Sequence, residues 1–490
     1  MKQVEVLFKN GKIVTQGKII EGFVAVDGEK IVAVGQGEVA PEAKKVIDLK
    51  GRVLIPGVVD PEVHFGSHRW VGDEFDSETR GAAAYGITTW GFMQPSANMG
   101  QPYKAEKTED EVPLYADAFG LFKELGEARS MVDFFLTPKI LKDEHALEIP
   151  RLARDFGMTS FKYQLHLMSP ERTATYWPQR KSQGYFGFDD GTIYLGMEEV
   201  AKLGPPGIVC MHCENWEIAR LFEERLLKAG RKEYKVWNER SPHFCEAGHV
   251  HAYTYYARIL KCPLYIQHTT TPETIDEITR ARADGATVYA QTGPHYLSLT
   301  EDMWRINVPL RSAETIDILW EALADGRIDT VGSDHTNTGR PRKEMEVPGD
   351  IWATRTGFSS RGEAALPVML NDGVNRGRIS LVRMVQVCCE NTARIFGLYP
   401  KKGVIAPGSD ADLVVVDLDR KVKVTSDMVH TSAGWTLWEG REMKGWPVMT
   451  VLRGRTIAEW PDGGKRPEIT SEPFGRYQPR SLGMRLYPGI

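Results

Sequence analysis

The sequence predicts an α/β fold: a (β/α)8 TIM barrel with a small β-sandwich domain formed from the N- and C-terminal segments. Three observations carry that prediction. Eight short apolar runs alternate with helical stretches through the middle of the chain, the mark of repeated βα units. Alternating, strand-like segments recur at both ends. Charged or imidazole residues interrupt the apolar runs at their C-terminal ends, where barrels of this class keep their chemistry.

The N-terminal segment holds short alternating runs at 4–8, 12–14, 22–26, 30–34 and 45–49. Asn10-Gly11 and Asp27-Gly28 are the dipeptides that tight hairpins favour, because such turns need positive φ, so a small antiparallel unit is expected. A similar pattern returns late. Gly403-Val404-Ile405 leads through Pro407-Gly408-Ser409-Asp410 into the apolar run 411–417, and runs at 448–451 and 455–459 flank the turn Arg453-Gly454. Two such segments at opposite ends of a chain can close on each other. The expected boundaries are 1–55 and 401–460 for the sandwich, 56–400 for the barrel, and 461–490 for an extended arm rich in Pro, Gly and Arg.

The eight candidate barrel strands are 53–65, 87–93, 132–136, 159–165, 208–213, 264–269, 287–292 and 330–334. The first ends in Asp60-Pro61-Glu62-Val63-His64. The fourth contains Lys162, the fifth His212, the sixth His268 and the eighth Asp334. Such groups are costly to bury unless paired or metal-bound. A single strand-end histidine is more often a hydrogen-bonded structural residue, but coordinating types on five strands of one barrel point to a metal site.

Length and composition set the frame. At 490 residues the chain exceeds one ordinary core and suits a large barrel plus a second domain. Its 42% hydrophobic and 26% charged residues, with a net charge of −5, are ordinary for a soluble protein. Nothing there suggests nucleic acid or an anionic membrane surface. The first residues alternate like a strand rather than forming a signal peptide, and no apolar stretch approaches the roughly 20 residues of a membrane span. Six cysteines without an export signal favour a reducing cytoplasm. Cys210 and Cys213 form a CxxC, but strand alternation sends them to opposite faces, against a redox or zinc role.

Several stretches resemble the dihydropyrimidinase, hydantoinase and allantoinase branch of the amidohydrolase superfamily. They are Pro56-Gly57-Val58-Val59-Asp60-Pro61, Ser160-Phe161-Lys162, Met211-His212-Cys213-Glu214-Asn215, Tyr265-Ile266-Gln267-His268, Pro309-Leu310-Arg311 and Gly332-Ser333-Asp334-His335. The segments 390–397 and 402–412 also match, and the resemblance runs collinearly from about residue 3 to about 460. It implies a hydrolase that opens cyclic amides, imides or ureides with two divalent ions, usually zinc, sharing a hydroxide that attacks the carbonyl. Lys162 would be the N6-carboxylated lysine bridging the ions. His212 and His268 would hold the second ion, and His64 and Asp334 the first, with Asp334 also the general acid/base. The resemblance further implies a homo-oligomer, dimer or tetramer, acting on a small molecule.

Two departures matter. The family's first strand carries His-x-His, whereas this chain has Glu62-Val63-His64. Alternation puts Glu62 and His64 on one face, so Glu62 can serve as an oxygen ligand, which would shift preference towards manganese, iron or magnesium; the alternative is a salt bridge with a weakened or single metal site. His68 is a possible substitute ligand. Second, the family places a tyrosine for the oxyanion five residues after the bridging lysine, and Leu167 stands there, leaving His166 as a candidate catalytic replacement. A dihydroorotase would need arginine where Gly66 stands. The loop carrying Tyr176-Trp177 and Tyr185-Phe186, hinged by Gly184 and Gly187, is a candidate lid or substrate wall. Trp70, Leu167, Tyr185, Phe186, Thr292 and Gly293 are the candidate substrate-binding residues, with Trp352 as a further aromatic. Two rival readings remain open: a scaffold protein of the same family without catalysis, and an enzyme of the superfamily acting on a lactone or carboxyl group.

Overall fold

The computed structural model describes residues 3–37, 39–94, 99, 112–165, 188–355, 359 and 361–483. At the start of the chain β1 (Val4–Thr15) pairs antiparallel with β2 (Lys18–Asp27), and β2 with β3 (Lys30–Gln36). The turn at Gly28 joins β2 to β3 as expected. Asn10-Gly11 does not turn a hairpin. It is a bulge inside β1, where the register slips between Lys9 and Gly11 and Asn10 takes φ 61°. Gly11 is required there, since a Cβ would stand 2.5 Å from the Arg52 carbonyl oxygen, and the hairpin closes at Gln16 and Gly17 instead. The segment is also not purely antiparallel: β4 (Ala43–Asp48) and β5 (Val53–Pro56) run parallel to β1.

The barrel follows. Strands β6 (Val58–His64), β7 (Ile87–Gln94) and β8 (Asp133–Pro138) pair in parallel. A second parallel run contains β9 (Ser160–Gln164), β10 (Ile208–His212), β11 (Leu264–Gln267), β12 (Val288–Thr292) and β13 (Thr330–Val331). Two seams close the ring. Beyond β8, Lys139 bridges laterally to Lys162 of β9, and the Ile140 amide donates to the Lys162 carbonyl at 3.0 Å. At the other seam the eighth strand is split: β13 pairs with β12, and β14 (His335–Thr336) pairs with β6. Helices such as Val71–Ala84, Asp143–Phe156 and Pro272–Ala283 cover the outside, and the last is started by a Thr271 side chain accepting from the Thr274 amide. Inside, Phe396 fills the lower end, its ring 5.4 Å from Phe135 and 5.0 Å from Tyr265.

The chain then returns to the first sheet. β15 (Leu413–Lys423) pairs antiparallel with β5 and with β16 (Glu442–Leu452), which is followed by β17 (Arg455–Glu459) and β18 (Glu468–Ile469). The two ends thus form one β domain around the nine-stranded sheet. After β18 the extended arm lies, through residue 483, on its own barrel: Gln478 N donates to Phe134 O at 2.7 Å, and Arg480 reaches Ser160 Oγ at 2.7 Å. No helix among the described residues is long and apolar enough to cross a membrane.

Candidate active site

The upper end of the barrel gathers buried acids, imidazoles and lysines. β6 presents Glu62 and His64. The Asp60 carboxylate fixes this strand, accepting from Glu62 N at 3.2 Å, Ser333 N at 3.0 Å and Trp90 Nε1 at 2.8 Å, and so ties the first strand to the eighth. Glu62 is fully buried. Its Oε1 lies 3.1 Å from His268 Nε2, 3.5 Å from Lys162 Nζ and 3.7 Å from His64 Nε2. Its Oε2 accepts from Gln291 Nε2 at 2.8 Å. Burial opposes the Glu62 charge, but His268 and Lys162 outweigh it and hold the carboxyl well below its usual range.

Asp334 sits where the eighth strand breaks, at φ 49°, and His268 ends the sixth strand at φ 56°. A left-handed conformation is costly for such side chains and persists where surroundings impose it. Asp334 Oδ1 is 3.0 Å from His64 Nε2, and Oδ2 is 2.9 Å from Arg361 Nη1. Arg361 Nη2 also donates to the Asp334 carbonyl. Burial again opposes the charge, and Arg361 and His268 overcome it, holding Asp334 below the carboxylate range. His212 lies with its ring centroid 4.9 Å from that of His268, and burial pulls it down to about 4. Next to Asp334, His335 Nε2 is 2.8 Å from Glu78, whose other oxygen accepts from Asn337 and Ser432.

Glu62, His268 and Asp334 each offer a ligand atom within 4.8 Å of the others, all buried. Two carboxylates and an imidazole, with His64 and Lys162 against them, are a donor set that fits a hard or borderline divalent ion. Lys162 Nζ donates to Gln267 Oε1. Thr292 and Gly293 stand at the end of β12, beyond Gln291. Trp70 is not brought to this group: its ring packs on Gly72 of its own helix, with the Arg129 guanidinium 5.3 Å from the ring centroid. Trp352 packs 6.2 Å from Trp237 instead. His166, Leu167, Tyr176, Trp177, Gly184, Tyr185, Phe186 and Gly187 lie outside the described residues. Cys210 and Cys213 are separate buried thiols, the first pushed up to about 12 by burial and the second also raised, which removes the thiolate a redox or metal role needs.

Four residues at the site escaped sequence reasoning. Gln267 and Gln291 are uncharged, and Arg361 comes from a segment with no strand. Lys139 lies just past the expected third strand, and burial with the neighbouring Lys162 charge pulls its ammonium down to about 7. A signal for Lys139 was present, since its parity matches Phe135 and Thr137.

The eight-stranded barrel gathers acids and imidazoles at its upper end, and residues 246–457 match the model of the Amidohydrolase family. The chain belongs to the cyclic amidohydrolase branch, hydrolases acting on carbon–nitrogen bonds other than peptide bonds. It is 32% identical to an L-hydantoinase of Paenarthrobacter aurescens over 97% of this chain and 98% of that protein. It is 29% identical to a D-hydantoinase of Ralstonia pickettii, over 93% and 95%. The solved L-hydantoinase (dihydropyrimidinase) from Arthrobacter aurescens superposes with a TM-score of 0.83 at 30% identity, covering 98% of this chain and all (100%) of that one.

Proposed function

We propose that this chain opens a cyclic amide, imide or ureide, with Glu62, His64, Lys162, His212, His268 and Asp334 holding its divalent ions. The observation that carries the reading is the convergence of Glu62, His268 and Asp334 from three different strands within 4.8 Å. When bound, the ions supply Lewis acidity, polarising the amide carbonyl and acidifying water.

The protein's own residues do the rest. Asp334 has one oxygen held by Arg361 and the other turned towards His64, so a single oxygen is left to take the proton of the attacking water. It then returns that proton to the leaving ring nitrogen. Glu62 adds a negative charge where the relatives' pattern has imidazole, which favours manganese, iron or magnesium over zinc at that position. A more anionic donor set gives a weaker Lewis acid. It suits a ring whose carbonyl is already activated, such as an imide or an aryl-substituted ring.

Asp334→Asn is expected to lower turnover by about 10²–10⁴-fold, while substrate affinity measured by calorimetry changes far less. Near-normal turnover would remove Asp334 from proton transfer. A hydrolysis screen of cyclic amides, imides and ureides at known metal content identifies the substrate class.

One observation favours a second reading. Lys162 Nζ and His268 Nε2 already lie 3.5 Å and 3.1 Å from Glu62 Oε1, as they would in a non-catalytic scaffold. Such a scaffold purifies without stoichiometric metal, whereas the enzyme does not.

A further inference from the structure

Lys139 is a buried lysine that forms no direct ion pair with a carboxylate among the described residues. It is 3% exposed, and Asp334 and Glu62 act on its ammonium only through their charge, with no hydrogen bond from either. Its backbone is held on both sides, the Lys139 amide donating to Gln94 O at 3.1 Å and the next amide to Lys162 O at 3.0 Å. The lateral bridge to Lys162 places the two lysines side by side on neighbouring strand ends, about 4.8 Å apart along the hydrogen-bonding direction. Alternation from Phe135, whose ring packs on Phe396 inside the barrel, puts Lys139 on the inward face. The charges acting on its ammonium come from Lys162, Asp334 and Glu62. Two like charges side by side in a buried site repel, and a buried charge without a direct partner is costly. One change removes both penalties: an anion on Lys162.

We propose that Lys139 is a positioning residue that holds a carbamate on Lys162 through an ammonium–carbamate ion pair, an inference that rests on the reading of Lys162 as carboxylated. The reaction joins Lys162 Nζ to the carbon of dissolved carbon dioxide. The Lys162 ammonium first loses one proton to solvent to free its lone pair, Nζ loses a second as the N–C bond forms, and one C=O π pair becomes the charge on a carboxylate oxygen. The ammonium of Lys139 then faces an anion instead of a cation. Lys139 does not touch substrate in this role. It sets how readily the bridging ligand forms.

The test supplies ¹³C-bicarbonate and zinc to the full-length protein, reading the carbamate resonance and the metal bound per chain. Wild type is compared with Lys139→Met, Lys139→Gln, Lys139→Arg and Lys162→Ala, with thermal melts reporting folding. The resonance should be present in wild type and absent in Lys162→Ala. In Lys139→Met and Lys139→Gln, half-maximal carbamate should need about tenfold more bicarbonate, the worth of one charged hydrogen bond, with metal content falling in parallel. Lys139→Arg should restore wild-type behaviour. An unchanged bicarbonate requirement in whichever neutral variant folds overturns the proposal. A wild type without the resonance overturns the carboxylation of Lys162 itself, and the two failures are thereby distinct.

Discussion

Glu62 is the residue on which this site turns. Gln291 orients one of its oxygens, and the other meets His268, Lys162 and His64. If that oxygen is a metal ligand, Glu62→Ala should lose one metal and most activity. Glu62→His should keep two metals and shift preference towards zinc. Elemental analysis, with activity measured under zinc, manganese and iron separately, decides. Unchanged stoichiometry, preference and rate in Glu62→Ala would leave Glu62 as an ion-pair partner only. Much of the site could be read from residue type alone, because acids, imidazoles and a lysine in apolar runs advertise a cost that must be offset. Arg361 could not. It reaches Asp334 from 27 positions further on, and no local pattern marks that approach.

At the level of elements, the first expected strand is broken at Gly57 and the eighth stops short of Asp334, and both breaks serve the architecture. Residues 53–65 read as one apolar run, yet Gly57 divides it, sending β5 into the β domain and β6 into the barrel. The joint is tight: a Cβ on Gly57 would stand 2.1 Å from Thr88 Oγ1. Gly57→Ala should therefore force Thr88 or the strand to move, costing about 1–3 kcal/mol in a denaturant melt, and Thr88→Ser should not relieve it, because the hydroxyl remains. The second break leaves Asp334 in a left-handed conformation between β13 and β14. Periodicity cannot show such breaks, since the residues on either side remain buried. The Asn10-Gly11 bulge is the same lesson from turn chemistry: the dipeptide signals positive φ, and the chain spent it on a bulge against Arg52 rather than on a hairpin.

For the whole molecule, one buried knot ties barrel, β domain and arm together. Lys402 Nζ meets Asp133 of β8, Asp412 at 2.7 Å and Asp410 at 2.9 Å. Arg453 of the β domain pairs with Asp133, and the Arg476 amide of the arm donates to Asp133 Oδ1 at 2.9 Å. Burial opposes the Lys402 charge, yet Asp133 and Asp412 hold it above the usual lysine range. Lys402→Met leaves three carboxylates facing one another in a dry interior, and should cost roughly 3–5 kcal/mol. A urea melt measures it, and a loss below about 1 kcal/mol, the ceiling for an exposed pair, would show that the knot is solvated.

The sequence by itself determined the barrel, the β domain from both ends and which strand-end residues are the candidate ligands. Those follow from periodicity and from the cost of burying charge, both of which are written in local order. Only the tertiary structure decided where strands break, that Asn10-Gly11 bulges, that Trp70 packs on its own helix, and that Lys139 and Arg361 join the site. These depend on which strand ends the closing of the ring places side by side, and a lateral neighbour across a barrel seam has no fixed distance in sequence.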